Sequence, residues 1–195
     1  MYSYCIIAGN LSSDKKGSSF NALLGRGVSV TAKCHIPEDI LQRTLNMDSL
    51  TMSEMVRYAS RLGERTGEQG GFNANIANIL GGMFTALGQD IACVHESAIA
   101  CTQFAKSDSP DGGIDASIYM PCLVVGTIGG GTMLPTQREC LEMIDCYGPG
   151  KVRRLAEIIA GYCLALDMST YSAVASGDFA DAHDRLGRNR PDEKK

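Results

Sequence analysis

Two consecutive lysines lie in a loop of turn-forming residues near the start of the chain. The segment Gly9–Ser19 is rich in glycine and serine and carries Asp14, Lys15 and Lys16 at its centre. A lysine ammonium is a compact charge that can hold an oxyanion, and a nearby carboxylate can hold the lysine. The same charges also suit a loop that only faces water. Both interpretations of Lys15 and Lys16 stay open at this point.

Asp90 and His183 are two further residues that could take part in proton transfer. Asp90 follows a long apolar segment. Such a carboxylate either faces water at the end of a helix or pairs with a lysine in a cleft. His183 lies near the end of the chain, and a histidine titrates near neutrality, which suits a general acid. It could equally pack beside Phe179 and Leu186 on one helical face.

A glycine-rich loop is the fourth candidate. It follows an apolar strand, precedes a helix, and consists of Gly126, Thr127, Ile128, Gly129, Gly130, Gly131 and Thr132. Backbone amides in such a loop can approach a phosphate, ribose or amide closely. The loop lacks the spacing of a dinucleotide-binding fingerprint, so a tight structural turn is the alternative interpretation.

Hydrophobic periodicity predicts strands that position these residues. Val28–Ile36 alternates between apolar and polar residues, as in a strand with one solvated face, and His35 falls on that face. The mostly apolar Ser117–Val125 predicts a strand that is covered on both faces. Asp108–Gly113 predicts a surface turn. The segment Ile91–Phe104 fits either a strand or a helix.

Helices are predicted for most of the remaining chain. Pro37 suits a helix start and predicts a helix over Glu38–Leu45. Two segments have the spacing of a capping box and predict further helix starts: Thr51-x-x-Glu54 and Thr136-x-x-Glu139. Asn73–Leu87 is apolar on most sides, which predicts a central, buried helix. The other predicted helices are Lys151–Leu166, Ser169–Ala175 and Asp178–Leu186.

The composition indicates an ordinary globular protein. The chain has 195 residues, a net charge of -4 and 44% hydrophobic residues, which suits one domain and excludes disorder. An acidic chain without a basic stripe does not indicate nucleic-acid binding, and no uninterrupted apolar run predicts a membrane span. The eight cysteines are not spaced as a disulfide framework or a zinc site. They predict reduced thiols in a cytoplasmic protein without a metal site.

Several motifs occur in an order that matches one family. They are, along the chain, Gly9–Lys16 with Gly25–Val30, Gly71–Asn78, Gly88–Asp90, Gly126–Thr132, Leu134–Gln137 and Ala182-His183. This series resembles class I 3-hydroxy-3-methylglutaryl-CoA (HMG-CoA) reductases over nearly the whole chain. The ending His183–Arg188 is similar to that of the soluble prokaryotic members.

The resemblance implies an oxidoreductase of the mevalonate pathway that reduces HMG-CoA to mevalonate and CoA with NADPH. Lys15 would hold the developing oxyanion, Asp90 would hydrogen-bond Lys15, and His183 would protonate the departing CoA thiolate. The glycine loop 126–132 would lie against the nicotinamide nucleotide. Asn78 would lie beside Lys15, within a set of substrate-binding residues that comprises Asp14, Lys16, Asn78, Ser169, Ala173 and Val174.

The resemblance also implies the fold class and the domain organisation. The expected class is α/β (α+β), with residues 20–187 forming a helix-rich HMG-CoA-binding large domain around a central buried helix. Residues 1–8 would be the last strand of a ferredoxin-like nucleotide-binding small domain, residues 9–19 the lysine loop, and residues 188–195 a mobile tail. The rest of the small domain and the family's catalytic glutamate would lie upstream, so the chain is expected to be the C-terminal part of the enzyme.

Departures from the family pattern leave alternatives open. The family often has histidine at the position of Asn75. The position of a substrate-binding lysine of the family corresponds to Tyr58 in this chain. The chain could therefore be a truncated non-catalytic remnant, or a half-site subunit that needs a partner chain. A bare CoA- or nucleotide-binding module explains the glycine loop alone. The family's sites lie between subunits, which predicts a homodimer or a higher homo-oligomer.

Overall fold

A computed structural model of the chain describes residues 13–66 and 71–186. The predicted strand of residues 1–8 and the tail 188–195 lie outside these residues. The helices and strands, in chain order, are α1 (Ser19–Leu24), β1 (Val28–Ile36), α2 (Glu38–Leu45), α3 (Ser49–Thr66), α4 (Ile76–Ala86), α5 (Val94–Ser97), β2 (Cys101–Lys106), β3 (Ile114–Leu123), α6 (Pro135–Met143), α7 (Val152–Ser176) and α8 (Asp178–Leu186). Helices thus combine with a small sheet, in agreement with the expected α+β class.

The sheet is antiparallel and has the strand order β1-β3-β2. The strand β1 has the bounds that its alternation predicted, and the predicted turn 108–113 joins β2 to β3 as a hairpin. Ile36 lies opposite Ile114 in this register, and Phe104 lies opposite Ala116. Only the last four residues of β3, 120–123, are all buried, because Asp115 and Tyr119 are exposed earlier in the strand.

The 25-residue helix α7 contributes ten buried residues, more than any other helix in the described part of the chain, and packs against β1 and β3. Leu155, Ile159 and Cys163 on its inner side are fully buried. It replaces two predicted helices, because the chain continues as one helix through Asp167. Among the described residues, α7 alone is long and apolar enough to cross a membrane. The sequence did not indicate this, because charged and polar residues interrupt the apolar segments of α7. A core helix meets the same criterion.

The helix α4 corrects the prediction of a central helix buried on most sides. Ile76, Leu80 and Phe84 on one side are fully buried in the core. The opposite side, which includes Asn78 and Thr85, is exposed in this chain. An apolar composition therefore does not decide how many sides of a helix its neighbours cover. Gly81-Gly82 does not interrupt the helix.

Both predicted capping boxes are wrong. The amide of Thr51 donates to Asp48 Oδ1 at 2.9 Å, and its hydroxyl donates to Oδ2 at 2.6 Å. Asp48 therefore caps α3, which begins at Ser49, while Glu54 forms an ion pair with Arg57. The helix α6 begins at Pro135 without a side-chain cap, because proline needs no amide partner in the first helical turn.

The described cysteines differ in their exposure to solvent, and four of the seven are buried. No disulfide joins the seven cysteines that the structure describes, and Cys93, Cys122, Cys146 and Cys163 are buried. Burial raises the pKa of the Cys163 thiol to about 12 and that of Cys93 to about 11. These thiols are therefore protonated near neutral pH, and Cys34 is the exposed one among those described.

Candidate active site

The lysine loop forms a tight turn that presents the side chain of Lys15. Ser13 and Lys15 both adopt a left-handed conformation, with φ of 53° and 59°, and the amide of Lys16 donates to the carbonyl of Ser13 at 3.1 Å. This conformation is uncommon for a residue with a long side chain. The amide of Lys15 donates to Glu96 Oε1 at 3.0 Å. The buried carboxylate of Glu96 therefore holds the backbone of the turn.

Lys15 forms an ion pair with Asp90, another residue selected from the sequence. The two side chains, each about half exposed, bring Lys15 Nζ within 2.8 Å of Asp90 Oδ2. The hydrogen bond to Asp90 raises the pKa of Lys15, and the same bond lowers the pKa of Asp90. Lys15 is therefore a cation and Asp90 an anion over the neutral range.

Asp90 is held by its own turn and by the glycine loop. Asp90 Oδ1 accepts the amide of Ala92 at 3.0 Å and so caps the short 3₁₀ turn Ile91–Cys93. The side-chain amide of Gln89 pairs with the backbone of Gly126 in both directions, at 2.7 and 2.9 Å. The backbone of Gly131 also packs directly against that of Gly88. The glycine loop therefore has a structural role in placing Asp90.

The glycine loop divides into a packed part and an open part. Thr127 and Thr132 are buried, and their hydroxyls donate to the carbonyls of Gly148 and Gly129 at 2.7 and 2.6 Å. Residues 128–130 are exposed, and space is open beside Gly129 and Gly130. A planar ring or a ribose could approach the backbone at 128–130. The backbone of the open part is thus accessible, whereas the two threonine hydroxyls already donate hydrogen bonds within the chain.

A buried charge network that sequence reasoning missed lies behind the lysine loop. Glu96 is fully buried on α5, and its Oε2 lies 2.7 Å from Nε of Arg26. Arg26 also forms an ion pair with Asp14. The available signal was a glutamate within the mostly apolar segment 91–104, because a buried carboxylate requires a partner.

A second buried carboxylate, Asp167, joins α7 to the start of α4. Its Oδ1 accepts the amides of Ala74 and Asn75 at 3.0 and 2.8 Å, and its Oδ2 accepts the hydroxyl of Thr102 at 2.7 Å. Desolvation raises the pKa of Asp167, and these three hydrogen bonds oppose that shift. The sequence indicated no such role, since Asp167 interrupts an otherwise apolar helical face.

Asn78, the predicted neighbour of Lys15, forms its hydrogen bond elsewhere. The side-chain amide of Asn78 donates to Asn75 Oδ1. The side-chain amide of Asn75 in turn donates to the hydroxyl of Thr170 at 3.3 Å. Among the described residues Asn78 makes no hydrogen bond to Lys15. Lys16 is exposed in the loop. Tyr58, the position that the resemblance matched to a substrate-binding lysine, is exposed on α3.

His183 and the predicted acyl-pocket residues lie on the outer side of α7 and α8. His183 Nδ1 lies 2.8 Å from the carbonyl oxygen of Phe179, and the two rings are 4.2 Å apart. Its ring makes no contact with Lys15 or Asp90 within the part of the chain that the structure describes. Ser169 and Val174 are exposed, and Ala173 is half-buried. These residues therefore do not form an enclosed pocket with Lys15 and Asp90 within the described part of the chain.

Comparison with known proteins identifies the family. Residues 2–188 match the family described as Hydroxymethylglutaryl-coenzyme A reductase. The chain belongs to the HMG-CoA reductase family. This confirms the resemblance that the ordered motifs indicated.

Curated HMG-CoA reductases from archaea and from an animal align with nearly the whole chain. The protein of Methanocaldococcus jannaschii is 38% identical over 93% of this chain and 44% of its own length. That of Haloferax volcanii is 40% identical over 93% and 46%, and that of Schistosoma mansoni is 39% identical over 93% and 19%. The chain therefore spans less than half the length of these relatives.

The chemical groups of the candidate site are those of side chains and backbone. Among the residues that the structure describes, no group of three or more His, Cys, Asp and Glu side chains is arranged to hold a metal ion. The site instead combines an ammonium, an anionic carboxylate and an open glycine backbone. This chemistry suits the stabilisation of negative charge on a substrate oxygen.

Proposed function

We propose that the protein catalyses the NADPH-dependent reduction of HMG-CoA to mevalonate and CoA, as an oxidoreductase of the mevalonate pathway. The observation that carries the proposal is the ion pair between Lys15 Nζ and Asp90 Oδ2, at 2.8 Å. Family membership supplies the substrate class, and the curated relatives carry this enzyme's name. NADPH as the specific donor is taken from the class I resemblance.

Lys15 acts in this proposal on the thioester oxygen of the substrate. Its ammonium donates to the carbonyl oxygen and stabilises the negative charge that develops there. Asp90 keeps Lys15 protonated, since their hydrogen bond raises the pKa of Lys15. Asp90 also accepts a hydrogen bond from the Lys15 ammonium and so orients the ammonium before substrate binds. The pair therefore supplies an oxyanion site that is charged and oriented in advance.

His183 acts as the general acid that protonates the departing CoA thiolate. The exposed position of His183 on α8 supports a site that is completed by another chain. We therefore propose a homodimer or a higher homo-oligomer, in which Lys15 and Asp90 of one subunit meet a neighbouring subunit at the site. Asp14, Lys16 and Asn78 contribute to binding of the substrate. Ser169, Ala173 and Val174 border its acyl group.

The open part of the glycine loop, residues 128–130, would hold the nicotinamide nucleotide by backbone contacts. When bound, NADPH supplies the hydride equivalents of the reduction. Residues 126–127 and 131–132 keep the loop against the turn that carries Asp90. Residues 20–187 serve as the HMG-CoA-binding domain in this proposal, with residues 1–8 belonging to the nucleotide-binding domain. The protein acts in the cytoplasm.

The experiment compares HMG-CoA binding and turnover in the full-length protein and in two variants, Lys15→Ala and His183→Gln. Calorimetry measures binding of HMG-CoA, and the absorbance of NADPH measures turnover. We expect both variants to bind the substrate and to lose turnover. Absence of HMG-CoA binding by the unmodified protein would rule out the proposed substrate.

A mixing experiment tests the proposed assembly. If each site combines residues of two subunits, unfolding and refolding Lys15→Ala together with His183→Gln restores part of the lost turnover. This occurs because a mixed oligomer contains one site with both residues intact. No recovery in a mixed oligomer would place both residues in sites of a single chain.

A further inference from the structure

Glu96 is a fully buried carboxylate beside the lysine loop, and the proposed reaction does not use it. Its Oε1 accepts the amide of Lys15 at 3.0 Å, and its Oε2 lies 2.7 Å from Nε of Arg26. Burial of a charge is costly unless partners compensate for the lost hydration. Here the compensation comes from the backbone of the lysine loop and from one arginine.

One short segment of the chain holds Lys15 at two points. Asp90, at the start of this segment, contacts the ammonium of Lys15, and Glu96, six residues later, accepts its backbone amide. The left-handed φ of 59° at Lys15 is uncommon for lysine, and the hydrogen bond to Glu96 compensates for it. Arg26 forms ion pairs with both Glu96 and Asp14, and so also restrains Asp14, the residue before Lys15.

We infer that Glu96 is a positioning residue whose carboxylate holds the backbone of Lys15 so that the ammonium meets Asp90. The inference rests on the proposed function, in which Lys15 is the oxyanion partner. Glu96 itself is buried and reaches the site only through Lys15. Displacement of a reacting group by about 1 Å can cost about 10²-fold in rate, so a residue that fixes the lysine backbone matters for turnover.

Without Glu96, the turn should relax to a more common backbone conformation and the ammonium should separate from Asp90. The hydrogen bond to Asp90 is the main reason that the pKa of Lys15 is raised. A released Lys15 therefore has a larger unprotonated fraction at a given pH. That fraction determines how fast the amine reacts with an acylating reagent.

Competitive acetylation of the folded chain at mildly alkaline pH measures this fraction. Peptide mass spectrometry gives the labelling of Lys15 relative to that of Lys33, an exposed lysine on β1 that serves as internal standard. The Asp90→Asn variant removes the ion-pair partner and so gives the Lys15 to Lys33 labelling ratio of a released Lys15. We expect this ratio to exceed the wild-type ratio several-fold. We expect Glu96→Leu to reach the Asp90→Asn ratio and Glu96→Gln to fall between the two.

Asp167→Ala is the matched control, because it also removes a buried carboxylate that accepts backbone amides. It should lower the melting temperature and leave the Lys15 to Lys33 ratio at the wild-type value. A folded Glu96→Leu protein with the wild-type ratio overturns the inference. If Glu96→Leu does not fold, the ratio of Glu96→Gln decides by the same criterion. The labelling uses no substrate, so its outcome is independent of whether Lys15→Ala loses turnover.

Discussion

Gly131 packs so closely against Gly88 that a Cβ on Gly131 would lie 2.6 Å from the carbonyl oxygen of Gly88. This contact joins the glycine loop to the turn before Asp90, and the pairing of Gln89 with Gly126 reinforces it. The sequence left two interpretations of the glycine loop open, a ligand site and a structural turn. One part of the loop fits each interpretation. The packed part places Asp90, and the open part is available to a ligand.

The first prediction concerns this contact. Gly131→Ala should lower the free energy of unfolding by about 1–3 kcal/mol, the usual cost of forcing an extra group into a packed site. Urea denaturation measures the loss. Gly126→Ala is the matched control, because the nearest atom to its Cβ would be 4.0 Å away. Equal stability of the two variants would contradict a tight Gly88–Gly131 contact.

The second prediction concerns Lys15 in the full-length protein. Lys15→Ala should lower the turnover of HMG-CoA by about 10²–10³-fold, the typical cost of losing one oxyanion donor. Lys33→Ala, on the solvated face of β1, should leave turnover nearly unchanged. Steady-state kinetics measures both variants. Near-normal turnover of Lys15→Ala would remove the proposed role of Lys15.

The third prediction separates the chemical role of His183 from a packing role. His183→Gln should slow reduction of HMG-CoA by about 10²–10⁴-fold, as expected for loss of a general acid. Reduction of free mevaldehyde should be much less affected, because this substrate releases no thiolate. Rates with the two substrates are compared in the same preparation. Equal slowing of both reactions at an unchanged melting temperature would exclude thiolate protonation.

The fourth prediction concerns Asp167. Asp167→Ala should cost about 1–3 kcal/mol of stability, because it leaves two backbone amides and the hydroxyl of Thr102 without their acceptor. Asp181→Ala, an exposed aspartate on α8, should change stability by less than about 0.5 kcal/mol. Urea unfolding of both variants measures the difference. A loss for Asp167→Ala no larger than that of the control would mean that solvent replaces the missing acceptor.

The fifth prediction concerns the pH dependence of His35, which lies between Asp115 at 2.9 Å and Asp111 at 3.3 Å. The hydrogen bond to Asp115 raises the pKa of His35, and that to Asp111 adds to the shift. The protonated ring is favoured in the folded state. Its contribution to stability is therefore fully present below about pH 6.5, the ordinary histidine value, and is lost as pH rises through the raised pKa.

Titration of the His35 ring by NMR should give a midpoint above the ordinary histidine value. Asp115→Asn should bring the midpoint down, since it removes the main partner. The stability lost in His35→Gln should shrink as pH rises through the measured midpoint. A midpoint that Asp115→Asn leaves unchanged would show that the ion pair does not govern this histidine.

Local signals in the sequence determined several elements correctly. Alternation of apolar and polar residues predicted β1 with its bounds, and Pro37 predicted α2. The turn-forming residues 108–113 predicted a surface turn, which the structure places between β2 and β3. These features depend on neighbours within a few positions, such as the pleat of a strand or a proline at the start of a helix. The ordered motifs were sufficient to identify the family.

Only the tertiary structure decided which polar residues are buried and what they contact. Two separate helices were predicted on either side of Asp167, yet α7 continues through Asp167, whose carboxylate finds hydrogen-bond partners in Thr102 and at the start of α4. Glu96 likewise accepts an amide 81 positions away in sequence, at Lys15. A polar residue is tolerated in a core only when its partners arrive from distant segments, and periodicity along a chain contains no information about those partners.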